Sequence, residues 1–226
     1  MRYFCSPNQK TVLRTRRIVE LRSGPKDAKV AKKVPYLECG AVGKKSRFMK
    51  KSLIALAFGT LALGMAEFVM MGILPDVARD LGVSIPRAGD LISAYAVGVC
   101  VGAPATVLIA RKRALKGILL ALAALIVLGN VCASLAPDFL LLAMRFVSGL
   151  PHGAFFGVGS IVAERVADPG HKTQAVSIMI LGMTVANLFC VPLGTYLGSY
   201  LSWRLAFGMV GLWGIMALLL IARWVP

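Results

Sequence analysis

The chain alternates between long apolar runs and short charged segments, and six of the runs are long enough to cross a membrane. A helix rises about 1.5 Å per residue, so about 20 apolar residues cross a hydrocarbon core of about 30 Å. The six predicted spans are 52–74, 91–110, 117–136, 139–162, 173–199 and 205–224. The pattern predicts an all-α polytopic membrane protein with six transmembrane helices.

Composition excludes the main alternative to this fold class. Of the 226 residues, 58% are apolar and 16% are charged, and the mean hydropathy is +0.75. A soluble domain is about 45–50% apolar and about 25% charged. Because so few charged residues cannot cover the surface of a chain this apolar, a soluble globular enzyme is excluded.

The charge is concentrated at the amino terminus. Residues 1–51 have 15 Lys and Arg against three acidic residues, whereas the rest of the chain has 11 against seven. We therefore divide the chain into a basic extension at 1–48 and a transmembrane bundle at 49–226. The extension is either a basic arm for anionic lipid or nucleic acid, or a disordered or artefactual segment before a start at Met49. We favour the second interpretation and expect no nucleic-acid partner.

Lys and Arg lie mainly on one side of the predicted spans. That side has Lys44, Lys45, Arg47, Lys50, Lys51, Arg111, Lys112, Arg113, Lys116, Arg165 and Lys172. The opposite side has Arg79, Arg87 and Arg204. Because cytoplasmic loops are enriched in Lys and Arg, we expect a multi-pass protein of the plasma (inner) membrane with a cytoplasmic amino terminus.

Two charged residues lie inside apolar runs, where each costs about 2.5–3.5 kcal/mol on insertion scales. Glu67 lies deep in the first run and Arg145 lies near the start of the fourth. If both face an aqueous cavity, Glu67 can bind and release a proton that Arg145 influences. The alternatives are a structural ion pair, or an Arg145 side chain that extends to the membrane surface.

The fourth run is rich in residues that suit a moving helix. Arg145, Ser148 and His152 recur at helical spacing, and His152 is a further candidate for proton coupling or for an interhelical hydrogen bond. The candidate gating and packing residues are Gly149, Pro151, Gly153 and Gly157 in this run and Pro192 and Gly194 in the fifth.

Three residues are candidates for hydrogen bonds to a transported solute, namely Tyr95, Ser148 and Asn187. Catalysis has no comparable support, because the sequence contains no HExxH motif, no P-loop and no GxSG serine with a histidine on a separate helix. The five cysteines have no CxxC spacing. We expect neither enzymatic activity, nor a cofactor, nor a metal site.

Several motifs occur in a specific order. They are GMAEF at 64–68, GILP at 72–75, DLGVS at 80–84, LISAYAVG at 91–98, GAP at 102–104, RFVSGLPHGAFFGVG at 145–159, GMTVAN at 182–187, VPLGT at 191–195 and SWR at 202–204. Together they resemble the amino-terminal half of the major facilitator superfamily. The resemblance is greatest to arabinose efflux permeases and to the sugar and drug:proton antiporter branch.

This resemblance implies half of a twelve-helix fold, with the solute bound between two six-helix halves. It also implies proton coupling through Arg145 and Glu67, and an antiporter motif over 182–194 in which Val191 replaces the usual glycine. The loop after the second run departs from the family pattern, because Arg111 and Lys112 stand at the usual Asp-Arg positions. Gating through that loop is therefore in doubt.

The function that we expect is secondary active, proton-coupled efflux of a small solute such as a sugar or drug-like compound. Its partners are the lipid bilayer, the solute, protons, and either a missing carboxyl-terminal half or a second copy of the chain. We expect the chain to be a fragment of such a transporter. The alternatives are a non-transporting remnant or scaffold, and a uniporter or channel-like half that dimerises.

Overall fold

The computed structural model describes the backbone of residues 35–110, 113–135 and 137–225, and the side chains of 49–225 other than 107, 110–112 and 136. Within these ranges the chain forms helices and no strand. The helices are α1 Pro35–Asp80, α2 Ile85–Ala88, α3 Asp90–Ala110, α4 Leu115–Leu135, α5 Asp138–Gly149, α6 Pro151–Val166, α7 Lys172–Val185, α8 Val191–Tyr200 and α9 Trp203–Trp224, with a π-helix at Ala186–Cys190.

Six helical stretches of the described residues are long and apolar enough to cross a membrane, which confirms the predicted fold class. We number them spans 1 to 6: Met49–Asp80, Ile85–Thr106, Leu115–Leu135, Asp138–Val166, Lys172–Tyr200 and Trp203–Trp224. The helix that contains span 1 begins at Pro35, inside the predicted extension, whereas residues 1–34 of that extension lie outside the described part of the chain. The boundary at 48/49 stays a prediction.

Span 1 continues beyond its predicted end at Leu74. The helix passes through Pro75 and ends at Asp80, because Val77 and Ala78 are buried and their packing offsets the hydrogen bond that a proline removes. Gly82 then adopts a φ of +63°, a left-handed conformation that glycine accepts without a steric penalty. The chain turns there toward span 2.

Span 1 is the most buried of the six spans, and span 5 is the least. Small residues allow the neighbouring helices to approach span 1 closely. A side chain at Gly182 of span 5 would overlap the backbone carbonyl of Ala57, and one at Gly59 would overlap the ring of Phe155 in span 4. Span 1 is therefore the central helix of the described bundle.

Spans 2 and 4 meet backbone to backbone. A Cβ atom at Gly149 would overlap the carbonyl group of Tyr95, and one at Gly98 would overlap that of Phe146. Glycine at these positions permits a separation that any larger residue would prevent. This contact brings the middle of span 2 against the middle of span 4.

Spans 4 and 5 each contain a proline beside a local change in helix geometry. In span 4, α5 ends at Gly149 and α6 begins at Pro151, and Leu150 between them keeps helical dihedral angles (φ −51°, ψ −43°). In span 5, the π-helix Ala186–Cys190 comes directly before the turn that contains Pro192. Because proline cannot donate to the preceding turn and its ring crowds that turn, local departures from α-helical geometry are expected there.

Charged residues at the two ends of the bundle differ in sign. We call one end the acidic end; it has Asp76, Asp80, Asp90 and Asp138 with Arg79, Arg87 and Arg204. We call the other the basic end; its described residues include Lys50, Lys51, Arg113, Lys116, Arg165, Lys172 and Arg223 with Glu164 and Asp168.

Polar contacts join four spans at the acidic end. The Trp203 indole nitrogen donates a hydrogen bond of 2.7 Å to Asp80, and the Ser199 hydroxyl donates one of 2.6 Å to Asp76. Arg204 pairs with Asp138 at 2.7 Å. Spans 1, 4, 5 and 6 are thus linked near the membrane surface.

Candidate functional site

Glu67 lies in the middle of span 1 and remains partly accessible. Its side chain is 33% exposed, and its Oε2 atom lies 3.5 Å from Nε2 of His152 in span 4. This Oε2 atom is itself buried and has no hydrogen-bond partner among the described residues. The carboxyl group is therefore accessible on one side and faces an imidazole on the other.

His152 connects Glu67 to span 2. Its Nδ1 atom is 2.8 Å from the hydroxyl oxygen of Tyr95, a hydrogen-bond distance. The imidazole also packs against the ring of Phe156, with 5.4 Å between the ring centroids. Both nitrogen atoms of His152 thus face polar groups, one on each neighbouring helix.

Arg145 lies fully buried beneath the Tyr95 ring. Its guanidinium carbon is 4.6 Å from the centroid of that ring and 5.5 Å from the centroid of Phe207. Its Nη1 atom donates a hydrogen bond of 3.0 Å to the carbonyl oxygen of Ala66, and its Nε atom lies 3.5 Å from that of Leu91. Because Arg145 is buried, its side chain does not extend to the membrane surface.

Within the described residues, Arg145 has no carboxylate partner at ion-pair distance, and its Nη2 atom has no hydrogen-bond partner. Two aromatic faces and two backbone carbonyls surround the charge instead. A cation over an aromatic face is stabilised by about 0.5–2 kcal/mol, more when desolvated. Arg145 therefore forms no ion pair among the described residues, whereas Glu67 lies at ion-pair distance from His152.

Four side chains from three spans form one continuous set, which we call the central polar network: Glu67, Tyr95, Arg145 and His152. The close approach of spans 2 and 4 at Gly149 sets Tyr95 between the two residues of span 4. All three proton-coupling candidates of the sequence thus lie together, and the solute candidate Tyr95 joins them.

The other two solute candidates lie elsewhere. Ser148 is buried, and its hydroxyl donates a hydrogen bond of 2.9 Å to the carbonyl oxygen of Arg145. Asn187 is exposed and belongs to the π-helix of span 5. Contact of either residue with a solute stays a prediction.

The six gating and packing candidates differ in their surroundings. Built Cβ atoms at Gly153 and Gly194 would lie 3.1 Å and 2.6 Å from neighbouring side chains, and one at Gly149 would overlap backbone. At Gly157, by contrast, nothing lies within 4 Å. Gly157 therefore does not lie at a close contact between helices of the described residues. Pro151 is buried and begins α6, whereas Pro192 is exposed.

The structure adds three residues to those that we selected from the sequence. Phe207 and Phe156 contact Arg145 and His152, but phenylalanine in an apolar run carries no signal of such a role. Asn130 is buried in span 3, where its Nδ2 atom donates to Ile126 and its Oδ1 atom has no partner among the described residues. A lone amide in an apolar run could have indicated it.

A cavity of about 400 Å³ opens at the basic end, away from the central polar network. Its lining includes Lys50 and Leu53 of span 1, Gln174 of span 5 and His171 just before span 5. No group of three or more His, Cys, Asp or Glu side chains that could hold a metal ion occurs among the described residues. The central polar network is therefore the strongest candidate for chemistry.

A comparison with protein-family models finds that residues 56–226 match the Major Facilitator Superfamily. The chain belongs to this superfamily. The match covers five of the six spans fully and most of span 1, and it confirms the resemblance that the sequence motifs indicate. Members of the superfamily are transporters rather than enzymes.

Relatives in this superfamily align with the same part of the chain. AraJ of Escherichia coli (strain K12) is 51% identical over 179 residues, which is 79% of this chain and 45% of AraJ. The inner membrane transport protein YdhP of the same strain is 48% identical over 156 residues, or 69% and 40% of the two chains. A protein named as a probable sugar efflux transporter of Helicobacter pylori (strain P12) is 33% identical over 174 residues, or 76% and 43%.

The chain spans less than half the length of these relatives. Superfamily membership and the six spans show that it is a multi-pass membrane protein of a transporter family.

Proposed function

We propose that the protein is a secondary active transporter that couples efflux of a small solute, such as a sugar or drug-like compound, to proton entry. The observation that carries the proposal is the position of Glu67, which is partly accessible and faces His152 in the middle of the bundle. An ionisable residue at membrane depth marks a proton or substrate pathway more often than a structural contact. The name of the Helicobacter pylori relative supports efflux as the direction of transport.

In this mechanism, a proton and the solute compete for the site at Glu67. Protonation of Glu67 from outside the cell removes the negative charge that favours solute binding, and the solute leaves. The empty, protonated site then returns to the cytoplasmic side and releases its proton. Arg145 and His152 modulate this step, since His152 contacts the carboxyl group and Arg145 provides a fixed positive charge beneath Tyr95.

The solute site requires a second six-helix unit. In transporters built from repeats, the site lies between two halves that move against each other near the bilayer midplane. We propose that the carboxyl-terminal half of a longer protein, or a second copy of this chain, supplies the opposite wall. The partly exposed Glu67 faces that wall in this arrangement.

The basic end faces the cytoplasm in our proposal, with the amino terminus on the same side, in the plasma (inner) membrane. The excess of Lys and Arg at this end supports the orientation, because such residues are retained on the cytoplasmic side during insertion. The acidic end then faces outward, toward the source of the entering proton.

Asn187 is the solute candidate that needs no rearrangement to reach a solute, because it is exposed. Tyr95 and Ser148 are buried and bonded to protein groups, so they contact a solute only if spans 2 and 4 separate.

The test is solute flux into vesicles that contain the protein together with its second six-helix unit, measured with and without an imposed pH gradient. Glu67→Gln removes the titrating group but keeps the size of the side chain, so the pH gradient should no longer drive flux. Glu164→Gln is the matched control, because Glu164 is exposed at the basic end and lies outside the central polar network.

Two other functions predict different results in the same assay. A non-transporting scaffold gives no flux under any condition. A uniporter or channel-like protein gives flux down the solute gradient that the pH gradient does not change. Coupling that persists in Glu67→Gln would exclude Glu67 as the proton carrier.

A further inference from the structure

The contacts of His152 restrict which of its nitrogen atoms carries the proton. Nδ1 lies 2.8 Å from the Tyr95 hydroxyl oxygen, and Nε2 lies 3.5 Å from Oε2 of Glu67. A neutral imidazole has one donor nitrogen and one acceptor nitrogen, and an ionised carboxylate only accepts hydrogen bonds. The tautomer of His152 therefore depends on both neighbours.

One tautomer suits all three groups when Glu67 is ionised. With the proton on Nε2, the positive end of the N–H dipole lies near the carboxylate, although the 3.5 Å separation is longer than an ordinary hydrogen bond, and Nδ1 accepts a hydrogen bond from the Tyr95 hydroxyl. The other tautomer would set the lone pair of Nε2 against the carboxylate. It would also turn Tyr95 into an acceptor, and the Tyr95 hydroxyl has no second acceptor among the hydrogen bonds of the described residues.

We propose that Tyr95 is a positioning residue that holds His152 as the Nε2–H tautomer facing Glu67, so that Glu67 and His152 take up a proton as one unit. This inference rests on the proposed function insofar as that proton is the transported one. The arrangement of hydrogen bonds can be tested without any transport measurement.

Three side chains contact either His152 or Tyr95, the residue that positions it. Glu67 faces it from span 1 and Tyr95 from span 2, while Arg145 of span 4 contacts the opposite side of the Tyr95 ring. Within the described residues, His152 forms no hydrogen bond or ion pair with spans 3, 5 or 6. Proton uptake at this site therefore involves Glu67, Tyr95, Arg145 and His152.

Arrival of one proton changes the Tyr95 hydrogen bond. If the proton binds Nδ1, both nitrogen atoms of His152 become donors, and the Tyr95 hydroxyl must turn from donor to acceptor. If it binds Glu67, the carboxyl group no longer requires Nε2–H, and the tautomer preference weakens. In both cases the hydrogen bond between Tyr95 and His152 responds to protonation of the pair formed by Glu67 and His152.

The sequence makes this hydrogen bond directly measurable, because the chain has only two histidines, His152 and His171. The variant His171→Asn leaves one imidazole. Solid-state NMR of the full chain in phospholipid vesicles, labelled with nitrogen-15 at histidine, distinguishes a protonated from an unprotonated ring nitrogen. At a pH where Glu67 is ionised, we expect a protonated Nε2 and an unprotonated Nδ1.

The variant Tyr95→Phe, in the His171→Asn background, removes only the hydroxyl group and keeps the ring over Arg145. We expect the tautomer ratio to fall by about tenfold, which is the effect of losing one hydrogen bond. Tyr196→Phe is the matched control and should leave the ratio unchanged, because Tyr196 is exposed and stacks with Tyr200. In flux assays, Tyr95→Phe should move the pH profile, whereas Glu67→Gln removes it.

A predominant Nδ1–H tautomer in the His171→Asn chain would overturn the inference, and that measurement needs no substitution at Tyr95. An unchanged ratio in a folded Tyr95→Phe chain would overturn it as well. The expected tautomers together with flux that ignores the pH gradient would contradict the proposed function while supporting the positioning role of Tyr95. Coupled flux with the wrong tautomer would contradict the positioning role alone.

Discussion

The central polar network and the acidic end both join several spans through charged side chains, but they differ in how completely those charges are paired. At the acidic end, Arg204 pairs with Asp138 at 2.7 Å, and Asp80 accepts a hydrogen bond from Trp203 at 2.7 Å. In the central polar network, Oε2 of Glu67 and Nη2 of Arg145 have no hydrogen-bond partner within the described residues.

We propose that this difference separates a structural role at the acidic end from a functional role in the central polar network. Ion pairs near water contribute about 0–1 kcal/mol each, and their charges stay partly hydrated. The acidic end can therefore hold helix ends together with little desolvation penalty. A charge at membrane depth costs about 2.5–3.5 kcal/mol on insertion scales, and an unsatisfied atom adds to that penalty. Packing alone would favour apolar residues at the positions of Glu67 and Arg145. We therefore infer that these two charged residues are present because the function requires them.

The largest effect on function is expected from Arg145→Met, which keeps much of the length of the side chain but removes its charge. Proton-driven flux should fall to background. The free energy of unfolding should change by no more than about 1 kcal/mol, because the lost contacts and the relieved desolvation penalty nearly cancel. Flux in vesicles and thermal unfolding in detergent measure the two effects.

Arg223→Met is the control for that variant, since Arg223 is exposed at the basic end. It should retain coupled flux. If Arg145→Met unfolds the protein instead, Arg145 is a structural residue, and the contrast between the two regions is wrong.

A smaller effect, on stability, is expected from Gly149→Val. The added side chain overlaps the carbonyl group of Tyr95 and forces spans 2 and 4 apart. Overpacking of this kind costs about 1–3 kcal/mol, and the separation should also weaken the contact between Tyr95 and Arg145. Thermal unfolding is the measurement.

Gly157→Val provides a matched comparison in the same span. Because nothing lies within 4 Å of a Cβ at Gly157, the substitution should change stability by less than about 0.5 kcal/mol. Equal destabilisation by the two variants would show that the close contact at Gly149 does not hold the central polar network together.

The smallest effect is expected from Asp138→Asn at the acidic end. It removes the ion pair with Arg204 and should lower the free energy of unfolding by about 0.2–1 kcal/mol, less at high salt because the pair is solvent-exposed. The pH dependence of flux should not change. A change in that dependence would place the acidic end in the proton pathway.

The number of spans could be predicted from the sequence because it depends on the length of apolar runs, a local property. Glu67 and Arg145 were also identifiable, since a charge in such a run is conspicuous. The end of span 1 was not, because packing of Val77 and Ala78 maintains the helix beyond Pro75.

The arrangement of the site depends on helix rotation and interhelical packing, which one sequence does not specify. Gly149 and Gly157 have the same spacing from Gly153, yet only Gly149 lies against backbone. Phe207 joins the site from span 6 although its sequence position resembles that of any other core phenylalanine. The contact between Tyr95 and His152 likewise follows from the approach of two helices.

The burial of Arg145 has a consequence for how the protein enters the membrane during synthesis. The carbonyl groups of Ala66 and Leu91 that surround this charge belong to spans 1 and 2, which are synthesised before span 4. We therefore expect spans 1 and 2 to be in place to solvate Arg145 when span 4 enters the bilayer.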